Sequence, residues 1–285
     1  MKYIYTSLFL LFTTVMSHAQ WNSNTSVNLE IAGVNLADQQ TVSTSDGKTW
    51  IAFYSVIGGS NYMRAQLLDA DGNKLLGPDG MAVTTQASGS ATFAFNVCMD
   101  KSNNLIIAHQ VEASGSYNAV LCKVNLDGSL PWGDGIVVGA GLAPYPALLT
   151  TGELSVAWIN WNTNTLNIQK ISTSGTAVWG SPVIVKVGTT NTTRGQIVAN
   201  PGGFFTMVFQ KKGTGNSSTI YSQRYDNDGL PQWTAPVQIS LIYTAQSRYF
   251  SILGDGDVTY YGYYASSGSR FFSYVQRINA DGTLP

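Results

Sequence analysis

Sixteen acidic residues, two histidines and two cysteines are the groups in this chain that could do chemistry. Hydrolysis of a glycosidic bond would need two carboxylates held at a set separation about one bond. Most of the aspartates stand instead beside glycines in turn-like segments. Asp69, Asp71, Asp127, Asp226, Asp228 and Asp281 fall in one recurring segment, and Asp46, Asp100, Asp255 and Asp257 in another. Glu30, Glu112 and Glu153 share no motif. The pairs Asp69/Asp71 and Asp226/Asp228 are spaced like the opening of a calcium loop, but no third ligand follows and no Glu stands at the twelfth position. Neither a metal site nor a cofactor is expected. His109 falls in the same repeat position as Tyr54, Trp158, Phe209 and Gly262, so a packed side chain is expected. No serine, cysteine or second histidine lies at a spacing that suits a triad or a zinc site.

The elements that carry these residues come from a repeat. QLLDADGNKLL from Gln66, CKVNLDGSLPW from Cys122, QKISTSGTAVW from Gln169, QRYDNDGLPQW from Gln223 and QRINADGTLP from Gln276 are copies of one motif. Their glycines, Gly72, Gly128, Gly175, Gly229 and Gly282, recur at intervals of 56, 47, 54 and 53 residues. Asp, Asn or Ser three residues before each glycine marks a type I turn, so each copy reads as a hairpin. The strand before the turn alternates, with Leu68, Val124, Ile171, Tyr225 and Ile278 in register. After the turn come Trp132, Trp179 and Trp233, with Leu76 in the first copy, placed to wedge against a neighbouring unit. Two strands precede each hairpin, the second apolar enough to be buried on both faces (TWIAFYSV from Thr49, LSVAWINW from Leu154). Four strands per period of about fifty residues is one propeller blade.

The expected fold is therefore an all-β, five-bladed β-propeller of four-stranded antiparallel blades. Blades are expected over residues 39–88, 89–140, 141–188, 189–240 and 241–285, the last completed by residues 20–32. The fifth copy stops at Pro285, where the second copy continues into Trp132, and Trp21 offers the missing anchor. On this reading the amino-terminal strand closes the last blade and leaves no unpaired seam. Residues 1–19, with Lys2, an apolar run from Ile4 to Met16 and small Ser17 and Ala19 about His18, read as a secretory signal peptide. The run is too short for a membrane span, so a secreted or cell-surface protein, soluble and monomeric, is expected. Cys98 and Cys122 fall on the first and third strands of one blade, roughly 9–10 Å apart. That exceeds the reach of a disulfide, so two buried thiols are expected.

With 11% charged residues, 12% aromatic residues and a net charge of −1, the chain offers no basic field for nucleic acid or an anionic membrane. Its DG turns, its aromatic-rich central strands and the segments QRINADG and QRYDNDGLPQW resemble secreted Bacteroidetes-type β-propeller repeat proteins, which are often sorted to the cell surface. The resemblance implies export and, in many such proteins, a C-terminal sorting domain, which these residues do not include. The repeat length also resembles that of five-bladed sugar-binding lectins. In a propeller the loops between blades share a face with the turns between second and third strands. That face gathers Tyr145, Trp161, Arg194, Lys211, Lys212, Arg248 and Arg270 as ligand candidates. The functional expectation is a non-enzymatic binding or adhesion module for a glycan or a surface protein, with no catalytic residue assigned. A five-bladed glycoside hydrolase and a structural segment of a larger surface protein are the alternatives.

Overall fold

The structure is a computed structural model and describes residues 26, 28–88, 95–213, 218–240, 250–267 and 270–285. The signal segment, Trp21 and Arg248 lie outside the described residues. Among those described, no helix is long and apolar enough to cross a membrane.

Alternating hydrophobic strands separated by Gly-containing turns fold as successive antiparallel meanders. The first comprises β1 (Leu36–Ser43), β2 (Thr49–Ile57), β3 (Ser60–Leu68) and β4 (Met81–Ser88). The second comprises β5 (Asn96–Met99), β6 (Leu105–Ala113), β7 (Ser116–Val124) and β8 (Ile136–Ala140). The third holds β9 (Leu142–Leu148), β10 (Leu154–Asn160), β11 (Thr165–Ile171) and β12 (Val183–Val187). The fourth holds β13 (Thr190–Ala199), β14 (Phe205–Lys212), β15 (Ser218–Tyr225) and β16 (Val237–Gln238). The last has three strands, β17 (Phe250–Asp255), β18 (Val258–Ser267) and β19 (Arg270–Ile278).

Two features differ from separate four-stranded blades. The third and fourth meanders form one eight-stranded sheet, because the two-residue turn at Gly188–Thr189 lets β12 pair with β13 through Lys186↔Asn191 and Val187↔Thr190. Gly188, at φ 60°, permits so tight a link. The described part of the expected closing strand, residues 28–32, is not a strand. Leu29, Ile31 and Ala32 lie against Ile51, Phe53 and Leu68 on one face of the first meander.

The meanders stack face to face. Trp50, Tyr54 and Met63 of the first meet Leu105, Ile107 and Val120 of the second. Ile106 and Leu121 meet Leu154 and Val156 of the third, Leu166 and Ile168 meet Phe205 and Met207 of the fourth, and Val208 and Ile220 meet Tyr261 of the last. β10 and β14 are buried on both sides by this stacking, as their apolar runs require. The first strands of successive meanders also meet, β1 with β5, β5 with β9, β9 with β13 and β13 with β17, so these strands form an inner wall. The arrangement is all-β and propeller-like.

The recurring hairpin explains the spacing of the meanders. Gly128, Gly175, Gly229 and Gly282 hold φ between 80° and 88°, a region that disfavours any residue with a Cβ. Each also lies under the anchor of the preceding meander. A Cβ on Gly175 would stand 2.9 Å from Trp132 Nε1, one on Gly229 3.1 Å from Trp179, and one on Gly282 3.1 Å from Trp233. Leu76 covers Gly128 in the same way, at 3.2 Å. Trp179 Nε1 donates to the Asn227 carbonyl and Trp233 Nε1 to that of Ala280, tying each ring to the next turn. The motif's glutamine fixes the anchor: Gln169 accepts from the Trp179 amide and donates to its carbonyl, and Gln223 does the same for Trp233.

Candidate functional site

The meanders have two unlike ends. At the turn end lie the links between first and second strands and the recurring hairpins. Here Asp46, Asp69, Asp71, Asp100, Asp127, Glu153, Asp226, Asp228, Asp255, Asp257 and Asp281 are found. Their work is structural. Asp69 Oδ1 accepts from the amides of Asp71 and Asn73, and Asp226 Oδ1 from those of Asp228 and Leu230. Hydrogen bonds from Asn73 hold the Asp69 carboxyl below the usual carboxylate range, and those from Ser129 and Thr283 do the same for Asp127 and Asp281. On the outer rim, Asp134 of the second meander accepts from Thr84 and Thr85 of the first. Asp79 accepts from the Gly33 amide.

All sixteen acids lie within the described residues, and only Asp38 and Glu112 stand near the opposite, loop end. Of the strands that make the inner wall, β1 contributes Asp38 and β17 contributes Asp255, the latter at the turn end. β5, β9 and β13 contribute no acid. Asp38 occupies a β-bulge at φ 49°, Arg194 the corresponding bulge of β13 at φ 44°, and Ala143 of β9 also holds φ 49°. Bulges of this kind re-aim side chains, and positive φ at a residue other than glycine carries strain.

His109 is 1% exposed, and burial pushes its pKa down to about 4. Its Nε2 lies 3.5 Å from the sulfur of Cys122, whose thiol burial pushes up to about 12. A neutral imidazole beside a protonated thiol, both sealed in the core, is not an activated nucleophile. Cys98 and Cys122 are both free and face opposite sides of the second meander, Cys98 toward the third and Cys122 toward the first. Among the described residues no group of three or more His, Cys, Asp or Glu side chains is placed to hold a metal ion.

The loop-end candidates sort by exposure. Tyr145 is not a loop residue: it lies in β9, paired with Ala157, and its half-buried ring packs on the core between the third and fourth meanders. Trp161, in the β10–β11 turn, is 52% exposed. Asn160 Oδ1 fixes that turn by accepting from the amides of Asn162 and Thr163. The indole stands edge to face with Tyr117 of β7, ring centroids 5.8 Å apart. Lys211, opposite Thr192, carries its ammonium 6.0 Å from the Tyr221 ring. Lys212 ends β14 opposite Ser218, and Arg270 opens β19, exposed. Tyr117 and Lys186 belong to this surface as well. Neither falls in the repeated motif, so neither stood out in the sequence.

No family model and no curated protein matches this chain. Solved structures do. A protein of unknown function from Dyadobacter fermentans superposes with a TM-score of 0.55 over 88% of this chain and 82% of its own, at 12% identity. A GH43 β-xylosidase/α-arabinofuranosidase from a compost microbial metagenome gives 0.46 over 90% and 95%, at 12% identity. An endo-arabinase from Bacteroides thetaiotaomicron gives 0.48 over 86% and 94%, at 11%. At such identity the likeness is one of fold.

Proposed function

We propose that the protein is an exported, non-enzymatic carbohydrate-binding propeller whose ligand seats on the loop end around Trp161. The observation that carries this reading is an indole 52% exposed on a turn fixed by Asn160 and braced by Tyr117. An exposed aromatic face on a rigid scaffold suits the apolar face of a sugar ring. The placement of the acids supports binding over turnover, because the inner wall near the loop end carries Asp38 where hydrolysis requires two carboxylates. A glycan array probed with the full chain and with Trp161→Ala tests this. Binding lost in the variant at unchanged melting temperature supports it. Polysaccharide cleavage that Asp38→Asn abolishes would establish the hydrolase instead.

We infer further that the scaffold is a closed ring of five units with Trp21 as the fifth anchor. Trp132, Trp179 and Trp233 each stand four residues before the first residue of a fourth strand, and the fifth copy of the motif, ending in Leu284 and Pro285, has no tryptophan of its own, a place that Trp21 would fill. Gln276 occupies the position of Gln169 and Gln223; its amide donates to the Arg277 carbonyl, and among the described residues it brackets no anchor. Gly72 corresponds to the four glycines that lie under anchors, holds φ 85° and is buried. The segment from Leu29 to Ala32 covers the face of the first meander that a fifth unit would meet.

A further inference from the structure

The described ion pairs, Lys48–Asp46, Lys123–Asp100, Lys170–Glu153 and Arg224–Asp257, all lie at the turn end. Glu112, at the loop end, belongs to none of them. It stands one residue before the end of β6, opposite Tyr117 of β7 in the antiparallel register. Residues directly opposed across such a pair project from the same face, their Cβ atoms about 5 Å apart. That face fronts the third meander: Ala108 and Leu121 on it pack against Leu154 and Val156, and Gln110 Oε1 accepts from the Ala143 amide. Tyr117 in turn meets Trp161 of the third meander edge to face. A carboxylate, a phenol ring and an indole from two adjacent meanders are thus gathered at one place. Glu112 is exposed, and among the described residues it has no ion-pair or hydrogen-bond partner.

The two rings meet at 71°, so they form a corner rather than a stack, and the indole stays more than half exposed. Aromatic faces attract ammonium groups, and a carboxylate beside them adds a charge-assisted hydrogen bond. Lys186 lies on β12, two strands out from β10, and makes no described ion pair. Neutral hydroxyls complete the surroundings, with Ser114 and Ser116 in the β6–β7 turn and Thr163 in the β10–β11 turn all exposed. We propose that this corner binds a glycan carrying free amino groups. An ammonium seats between the Glu112 carboxylate and the rings, a sugar face lies on the indole, and sugar hydroxyls meet the serine and threonine side chains. A neutral glucan would leave the charge of Glu112 unanswered, and an acidic glycan would be repelled by it. The inference rests on the carbohydrate reading above and adds the substituent that the ligand carries.

Isothermal titration of the full chain at pH 6 with the β-1,4-linked hexaoses of glucosamine, N-acetylglucosamine and glucose, and with hexalysine, tests it. Glucosamine hexaose is expected to bind at least about fivefold more tightly than either uncharged hexaose, the increment of one exposed charge pair. Glu112→Gln should bring that preference within about twofold, and Trp161→Ala should abolish binding of all three sugars. Raising sodium chloride from 50 to 300 mM should shrink the preference. Circular dichroism melting confirms that the variants fold. Equal binding of charged and uncharged hexaoses, or a preference that survives Glu112→Gln, would overturn the amine assignment and leave carbohydrate binding standing. Hexalysine bound as tightly as glucosamine hexaose would overturn it in favour of unspecific attraction of cations. No binding of any hexaose would remove both readings.

Discussion

Lowering the pH from 7 to 4 should destabilise this protein through a single imidazole before any carboxylate contributes. His109 is 1% exposed, and burial holds its pKa near 4 against an ordinary value of 6.5, opposed by a hydrogen bond with the Gln110 backbone. Between those two values the unfolded chain binds a proton that the folded chain refuses, so folding stability rises with pH across that window and is lost as pH falls through it. The full displacement corresponds to about 3 kcal/mol, of which about 2 kcal/mol should be gone by pH 5. His109 is the one histidine among the described residues, so within them the window above pH 5 belongs to it. The carboxyls of Asp46, Asp69, Asp127 and Asp281 are all held low, so their losses begin below it. Urea unfolding at pH 7, 6 and 5 reads the slope directly, and His109→Gln should flatten it whatever that variant costs at pH 7. A wild-type curve flat between pH 7 and 5, or a variant that keeps the wild-type slope, would refute the buried neutral imidazole.

Two further outcomes concern the anchors. Trp233→Ala removes a buried indole and its hydrogen bond to Ala280, and should cost about 3–5 kcal/mol by thermal or urea unfolding, whereas Trp161→Ala should stay within about 0.5 kcal/mol. Trp21→Ala should lower the melting temperature on the scale of Trp233→Ala if it seats over Gly72 and in the Gln276 amide, and an unmoved melting temperature would refute closure through that residue.

The hairpins were the most legible part of the fold, because Asp or Asn at the start of a type I turn and glycine at its end have local causes that survive any context. The apolar runs of β2, β6, β10 and β14 were readable for a similar reason, since burial on both faces removes the need to alternate. What lies between units was harder to read. The glutamines at 66, 169 and 223 are visible as a repeated letter, yet their role depends on two backbone groups ten or eleven residues away. The joining of the third and fourth meanders depends on how far strands diverge after Gly188. At Asp38, Ala143 and Arg194 the residue of positive φ is not itself a glycine, and so left no local mark. The loop end was only partly legible, because Tyr117 and Lys186 become neighbours of Trp161 through strand pairing rather than through any motif.

Successive turns at one end of the strands are linked hand to hand. Ser45 hydrogen-bonds Asn103, Lys101 reaches the Thr150 carbonyl, Thr150 reaches that of Asn200, and Asn200 reaches that of Gly256. The opposite end is joined more sparsely, by Gln40 to the Phe95 carbonyl, by Asn96 to that of Pro144 and by the contact of Tyr117 with Trp161. Its exposed turns therefore carry less of the assembly than the clasped ones do. A scaffold divided in this way can take substitutions in its exposed loop-end turns while the clasped turns keep neighbouring units in place.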